Sequence, residues 1–145
     1  MVGVIAVLSA FALVTVSHLL TSTNTTTQTP PTLSIFYGSE SVQVQSWLAK
    51  NFSYTASNIP VITGHFSASG GGSDNNIRIL VLTIANFTQF KRTGTVNAYY
   101  SSGAVSSGTL NVNLPSGNGE YTFVIDNTFD SIQSKSVFVN ASLLV

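Results

Sequence analysis

The first twenty residues, MVGVIAVLSAFALVTVSHLL, carry no charged side chain, and Ser9, Thr15, Ser17 and His18 are their only polar interruptions. A helix of that length is about 30 Å long, the thickness of a bilayer's hydrocarbon core. Because it has no polar face, such a helix needs apolar surroundings on every side, supplied by lipid or by copies of itself. Gly3, Ala6, Ser9 and Ala10, interspersed with larger residues such as Leu13, allow close helix approach and are the candidate packing positions.

Four readings of this segment stand open. A cleaved secretory signal calls for a positive start and a small-x-small site, whereas the first basic residue is Lys50. A permanent membrane anchor fits the length but lacks a positive flank to orient it. In the preferred reading Met1 heads a mature helix from which a basic leader has been removed. A wholly buried helix of a soluble domain ranks last.

Residues 21–32, TSTNTTTQTPPT, change the composition abruptly. Seven of the twelve are Thr, which disfavours helix and cannot form a packed core, and Pro30 and Pro31 stop any continuing helix. This stretch reads as a spacer. Thr21, Thr23, Thr25, Thr26, Thr27 and Thr29, next to proline, are candidate O-glycosylation positions.

From Leu33 to the C-terminus the apolar period is close to two, so residues 33–145 read as one all-β head domain. Strands are expected at Leu33–Tyr37, Ser41–Leu48, Ile59–Ser67, Ile77–Ile84, Gly94–Tyr100, Ala104–Leu114, Glu120–Ile125 and Lys135–Leu144, separated by Gly, Asn, Ser, Asp and Pro. Seven or eight such strands imply a mainly β fold, with the apolar N-terminal helix followed by an immunoglobulin-like or jelly-roll β-sandwich. Asn86–Lys91 reads as a short helical turn or a crossover with Phe87 and Phe90 packing inward. Asp126–Ser134 reads as a long turn. Val137, Val139, Ala141 and Leu143 share one side of the last strand, while Phe138 and Leu144 on the other are also apolar, the pattern of a strand buried on both faces.

Charge narrows the function classes. Five basic and five acidic residues cancel to zero, where soluble proteins average roughly 25% charged residues. Ser, Thr and Asn must therefore keep the surface wet, and nothing steers the chain toward nucleic acid. There is no Cys, which excludes disulfides and thiolate chemistry. His18 and His65 lack an identifiable ligand set or catalytic partner and read as structural. No G-x-S-x-G elbow, Walker loop or dinucleotide fingerprint occurs, so neither an enzyme nor a cofactor is expected. The run GGGSDNN, Gly70–Asn76, has oxygens that calcium uses, but a single Asp in a Gly-rich turn fits a hairpin loop better. Asp126 and Asp130 flank the other long turn, and their spacing alone defines no metal site.

N-x-S/T triplets at Asn24, Asn51, Asn86 and Asn140 are candidate N-glycan acceptors, in about the number that composition alone gives. Asn24 lies in the open spacer, Asn51 and Asn86 near expected strand ends, and Asn140 in mid-strand. Of Phe36 and Tyr37, and of Tyr99 and Tyr100, alternation sends one to the core and leaves the other to meet a partner or a glycan.

Apolar helix Met1–Leu20, Thr-rich spacer Thr21–Thr32 and β-sandwich head together resemble archaeal type IV pilins. Ile5 stands where bacterial pilins carry an acidic residue, and the bacterial Cys pair is missing, as is common in the archaeal branch. The resemblance implies a processed leader, a wait in the membrane on the apolar helix, and helical assembly with copies of the same chain into an extracellular filament with adhesive heads. The alternatives are a single-pass, membrane-anchored cell-surface binding or envelope protein, and a filament joined by donor-strand exchange.

Overall fold

A computed structural model describes residues 29–71 and 74–145. The expected apolar helix at residues 1–20, its packing positions Gly3, Ala6, Ser9, Ala10 and Leu13, and the spacer positions Asn24, Thr21, Thr23, Thr25, Thr26 and Thr27 lie outside the described residues. Thr29 is exposed where the described chain begins.

Eight strands and one helix follow: β1 (Thr32–Val42), β2 (Trp47–Ala56), β3 (Val61–Ser69), β4 (Arg78–Thr83), α1 (Ile84–Thr93), β5 (Tyr100–Ser101), β6 (Ser107–Asn113), β7 (Gly117–Asp126) and β8 (Lys135–Leu144). They form two four-stranded sheets with strand orders β1-β8-β3-β6 and β2-β7-β4-β5, and every pairing is antiparallel.

One core lies between the sheets. Ile62, Phe66, Val137, Val139 and Leu143 of the first sheet pack into the same cluster as Ile79, Val81, Phe123 and Ile125 of the second. Their alternation along each strand is what one buried face requires. A bulge between Ser34 and Phe36 in β1 turns both Ile35 and Phe36 toward this core before Tyr37 points out, 74% exposed. Phe36 lies 6.2 Å from Phe123. Of the other aromatic pair, Tyr100 packs on the core and Tyr99 is 48% exposed.

The edges β1 and β2 are blunted. Glu40 pairs with Val137 and Lys50 with Phe123, so both charges stand on the core-facing side of an edge strand, and both stay exposed at its rim. A charge there discourages another strand from adding on.

The second sheet buries its other face as well. Thr83 caps α1, its Oγ1 accepting from the Asn86 amide at 3.2 Å. Gly94 at φ +69° ends the helix, and its amide donates to the Phe90 carbonyl at 2.8 Å. Lys91 and Arg92 in the last turn suit the negative end of the helix dipole. Phe87 and Phe90, three residues apart, reach the same side and cover Leu80, Leu82 and Val124, with Trp47 edge-on to Phe87 at 5.1 Å.

Several expected elements shift. The helical turn at Asn86–Lys91 is a ten-residue helix, and its two Phe pack on the outside of a sheet rather than between the sheets. Gly94–Tyr100 is not a strand: Gly94 is the helix cap, and only Tyr100–Ser101 pairs. The expected strand Ser41–Leu48 is cut by a turn at residues 43–46, where Gln45 has φ +51°, and β2 (Trp47–Ala56) continues through residues 49–56, where the sequence reading places no strand. β3 and β4, the strands on either side of Gly70–Asn76, belong to different sheets and so do not form the expected hairpin. β8 is internal to its sheet but buried on one face: Val137, Val139, Ala141 and Leu143 are sealed, while Phe138, Asn140, Ser142 and Leu144 are half-buried.

Candidate functional site

The chain enters the head at the end of β1 that pairs Thr32 with Leu144. At the opposite end four connections converge: residues 43–46, the described residues 70–71 and 74–77, residues 102–106 and residues 127–134. Half of the chain's ten charged residues, Asp74, Arg78, Asp126, Asp130 and Lys135, are gathered there.

Arg78 and Asp126 are register partners at the rims of β4 and β7, on the face that α1 covers. The Arg78 Nε donates to Asp126 Oδ2 at 2.8 Å, its Nη2 donates to the same oxygen, and Asp126 Oδ1 accepts from the Thr128 amide at 2.9 Å. Asp126 is fully buried but satisfied, the condition under which a buried carboxylate is tolerated. Lys135 is also buried, and its Nζ donates to the Asn76 carbonyl and to Asp130 Oδ2, both at 2.7 Å. Asp130 Oδ1 accepts from the amides of Ile132 at 2.8 Å and Gln133 at 3.1 Å. The hydrogen bond from Lys135, followed by these two amides, lowers the Asp130 carboxyl to about 2.

Asn127 ties the loops together. Its side-chain amide donates to the carbonyls of Gln43 at 3.1 Å and Gln133 at 3.0 Å, and its backbone amide donates to Ser46 at 2.9 Å. Its Oδ1 is buried without a partner among the described residues. Above this braced layer Phe129 lies between the Arg78 guanidinium, 5.5 Å from the ring centre, and the Lys135 ammonium at 5.7 Å. Phe129 is 42% exposed, Val44 39% and Ile132 79%. A cleft of about 300 Å³ opens between Gly71, Asp74, Phe129, Asp130, Ile132 and Gln133. The Asp74 carboxylate accepts from the Asn76 amide at 2.7 Å, and Asn75 Oδ1 accepts from the Gly71 amide at 2.9 Å, so these oxygens stitch the turn. Among the described residues no three His, Asp or Glu are grouped to hold a metal ion. Chemically, the arrangement is a rigid polar bed presenting a few apolar side chains.

A second surface is the outer face of β1-β8-β3-β6. Register aligns Tyr37, Asn140, His65 and Thr109 in one row, and Ser39, Phe138, Ser67 and Ser107 in the next. Adjoining rows carry Ser34, Ser142, Thr63 and Asn111, then Ser41, Ser136 and Ser69, and no charged residue stands in any of them. Phe138 meets Tyr37 edge-on at 6.2 Å and lies 5.7 Å from His65.

The expected acceptors separate on this frame. Asn140 and Ser142 point out together from β8. Asn51 and Ser53 do the same on β2, in mid-strand rather than near an end, and Asn51 Oδ1 accepts from the Thr122 hydroxyl at 2.8 Å. Asn86 is half-buried in α1, where positions i and i+2 diverge by about 200° around the axis. The Thr88 hydroxyl donates to its own helix at Ile84.

At the entry end, Tyr54 donates to the Pro115 carbonyl at 2.7 Å, and burial pushes its phenol up to about 12, so it stays a neutral donor. The braced loop cluster escaped sequence reasoning because its partners are 48 and 59 residues apart, as in Arg78 with Asp126 and Lys135 with Asn76. The one available signal was the scarcity of charge: half of so small a set falls at two turns. Compared with known proteins, the chain matches no family model and no curated protein.

Proposed function

We propose that this chain is the structural subunit of an extracellular filament of the type IV pilus kind. In this reading residues 1–20 bundle with copies of themselves in the filament core, and the β-head is carried outside. The observation that supports it most is the polarity of the head. The uncharged apolar segment and its Thr/Pro spacer lead into β1 at one end, and the braced loops lie at the other. A head tethered in that way turns its loop end outward.

The strand pairing supports a jelly roll over an immunoglobulin fold. β1 with β8, β2 with β7, β3 with β6 and β4 with β5 make one long hairpin folded across two sheets. Immunoglobulin domains keep their first two strands in one sheet, whereas here β1 and β2 are in different ones.

Before assembly the apolar segment holds the subunit in the membrane, and assembly exchanges lipid for helix contacts. Repeated heterologous contacts then build an open polymer. The reading gives the chain no catalytic task, no cofactor and no nucleic-acid partner. Donor-strand exchange is not part of the proposal, because the described strands already seal the head's core. A second reading, a single-pass anchored surface binding protein, draws support from Val44, Phe129 and Ile132, apolar side chains exposed on a fixed bed.

Electron microscopy of native extracellular material, with mass spectrometry to identify this chain, tests the choice. Filaments with axial helices are expected. Ala6→Glu or Leu13→Lys should abolish them while the head from Pro31 onward still folds. Normal filaments from both variants would sink the helical-core reading, and membrane-embedded monomers alone would transfer the assignment to the anchored surface protein.

A further inference from the structure

We propose that Asn140 is an N-glycan acceptor and that the first sugar of its glycan stacks on the rings of Tyr37, Phe138 and His65. The proposal rests on the extracytoplasmic reading, since glycan donors of this kind are used as a chain crosses a membrane.

Of the described triplets, only Asn140 has its side chain framed by aromatic rings. Tyr37 stands beside it on β1 and His65 on β3, in the same cross-strand row, and Phe138 precedes it by two residues on the same face. Neighbouring strands are about 4.8 Å apart, so both flanking rings are within reach of a sugar attached to Asn140. The axial C–H groups of a pyranose pack on aromatic faces, while its hydroxyls need hydrogen-bonding neighbours. Ser39, Ser67, Thr63 and Thr109 in the same and adjoining rows supply those neighbours, and the face carries no charge to oppose a neutral glycan. Ser142, two residues on and pointing the same way, supplies the hydroxyl that the acceptor triplet requires.

The face is also the one that no described element covers. The outer side of the other sheet is closed by α1, whereas Phe138 is half-buried and Tyr37 is 74% exposed, with no described element over them. A glycan rooted at Asn140 shields these rings as α1 shields Leu80 and Val124. The chemistry balances with a lipid-phosphate-linked oligosaccharide as donor. The Asn140 Nδ2 displaces the lipid phosphate from the anomeric carbon, so that a C–N bond forms and a C–O bond breaks. The amide proton passes to the base of the membrane transferase.

The test uses the full chain in its native host. Surface digestion followed by glycopeptide mass spectrometry should find the peptide spanning Asn140 carrying sugar mass, and Asn140→Gln should remove it. A surface-exposed chain with an unmodified Asn140 overturns this proposal and leaves the extracytoplasmic reading intact. A chain found only inside the cell overturns both. The stacking is tested separately by a thermal double-mutant cycle. Tyr37→Ala should lower Tm by about 4 °C more in the glycosylated protein than in the Asn140→Gln background. Equal effects in the two backgrounds would overturn the ring contact, and because Tyr37 is exposed on an edge strand, both proteins should fold.

Discussion

The two sheets share a core but treat their outer faces differently. On β2-β7-β4-β5 the outward positions Leu80, Leu82 and Val124 are apolar and α1 covers them. On β1-β8-β3-β6 the outward positions are mostly Ser, Thr and Asn around one ring cluster, with Val61 and Leu144 at the entry end, and no described element covers them. In sequence the difference is visible strand by strand. β4, RILVLT, has four consecutive buried residues, as a strand closed on both sides requires, whereas β8 alternates sealed residues with exposed or half-buried ones. A strand's composition thus reports how many layers lie against it, and the bare face is the one free to meet something outside the domain.

The sharpest way to break this contrast is to remove one ring from each face. Phe90→Ala, at a position only 2% exposed, should cost about 3–5 kcal/mol in urea unfolding, the usual range for a buried Phe. Phe138→Ala on the bare face, measured in chain without glycan, should cost about 1 kcal/mol. Similar values for the two would mean that the faces are equally covered.

A smaller effect is expected inside the bare sheet. Gly64 has φ +150°, and an added Cβ would lie 1.9 Å from the Asn140 carbonyl oxygen. Gly64→Ala should therefore destabilise by about 2 kcal/mol through forced separation of β3 from β8. Thermal melts would show it, and an unchanged Tm would mean that the two strands are less tightly apposed.

The smallest effect concerns the loop-end rim of the bare sheet, held by Lys135 and Asp130, against the covered sheet's rim, held by Arg78 and Asp126. Asp130 has a lowered folded-state pKa, so its contribution is fully present above the unfolded value of about 4 and is lost as pH falls toward about 2. Asp130→Asn should flatten that part of the stability profile and leave the profile above pH 5 level. An acid limb of unchanged slope would show that other carboxylates govern it.

Legibility followed the range of the interactions involved. The alternation alone places the limits of β8 at Lys135–Leu144, where the structure has them, because it ends where the strand's apolar partners end. The turn at residues 43–46 is hidden in the sequence because Val42 and Val44 continue the alternation across it. What bends the chain there is Asn127, 84 residues from Gln43. Gly94 reads in sequence as the start of a strand but is the cap of α1, since Gly serves either role and only the preceding helix decides between them. The four acceptor triplets are alike in sequence. The backbone alone shows that two of the described ones hold Asn and hydroxyl on one face and that the helical one does not.

By itself the sequence determined the mainly β class, the change in composition from an uncharged apolar start through a Thr-rich stretch to a β-patterned remainder, and the exclusion of thiol chemistry. These follow from composition and from periods of a few residues, which are properties of local chain. Only the tertiary structure decided which strands pair, that one sheet is covered and the other bare, and that half of the charges meet at one end. Each of those depends on contacts between residues dozens of positions apart, whose free energy exists only once the whole chain has closed around its core.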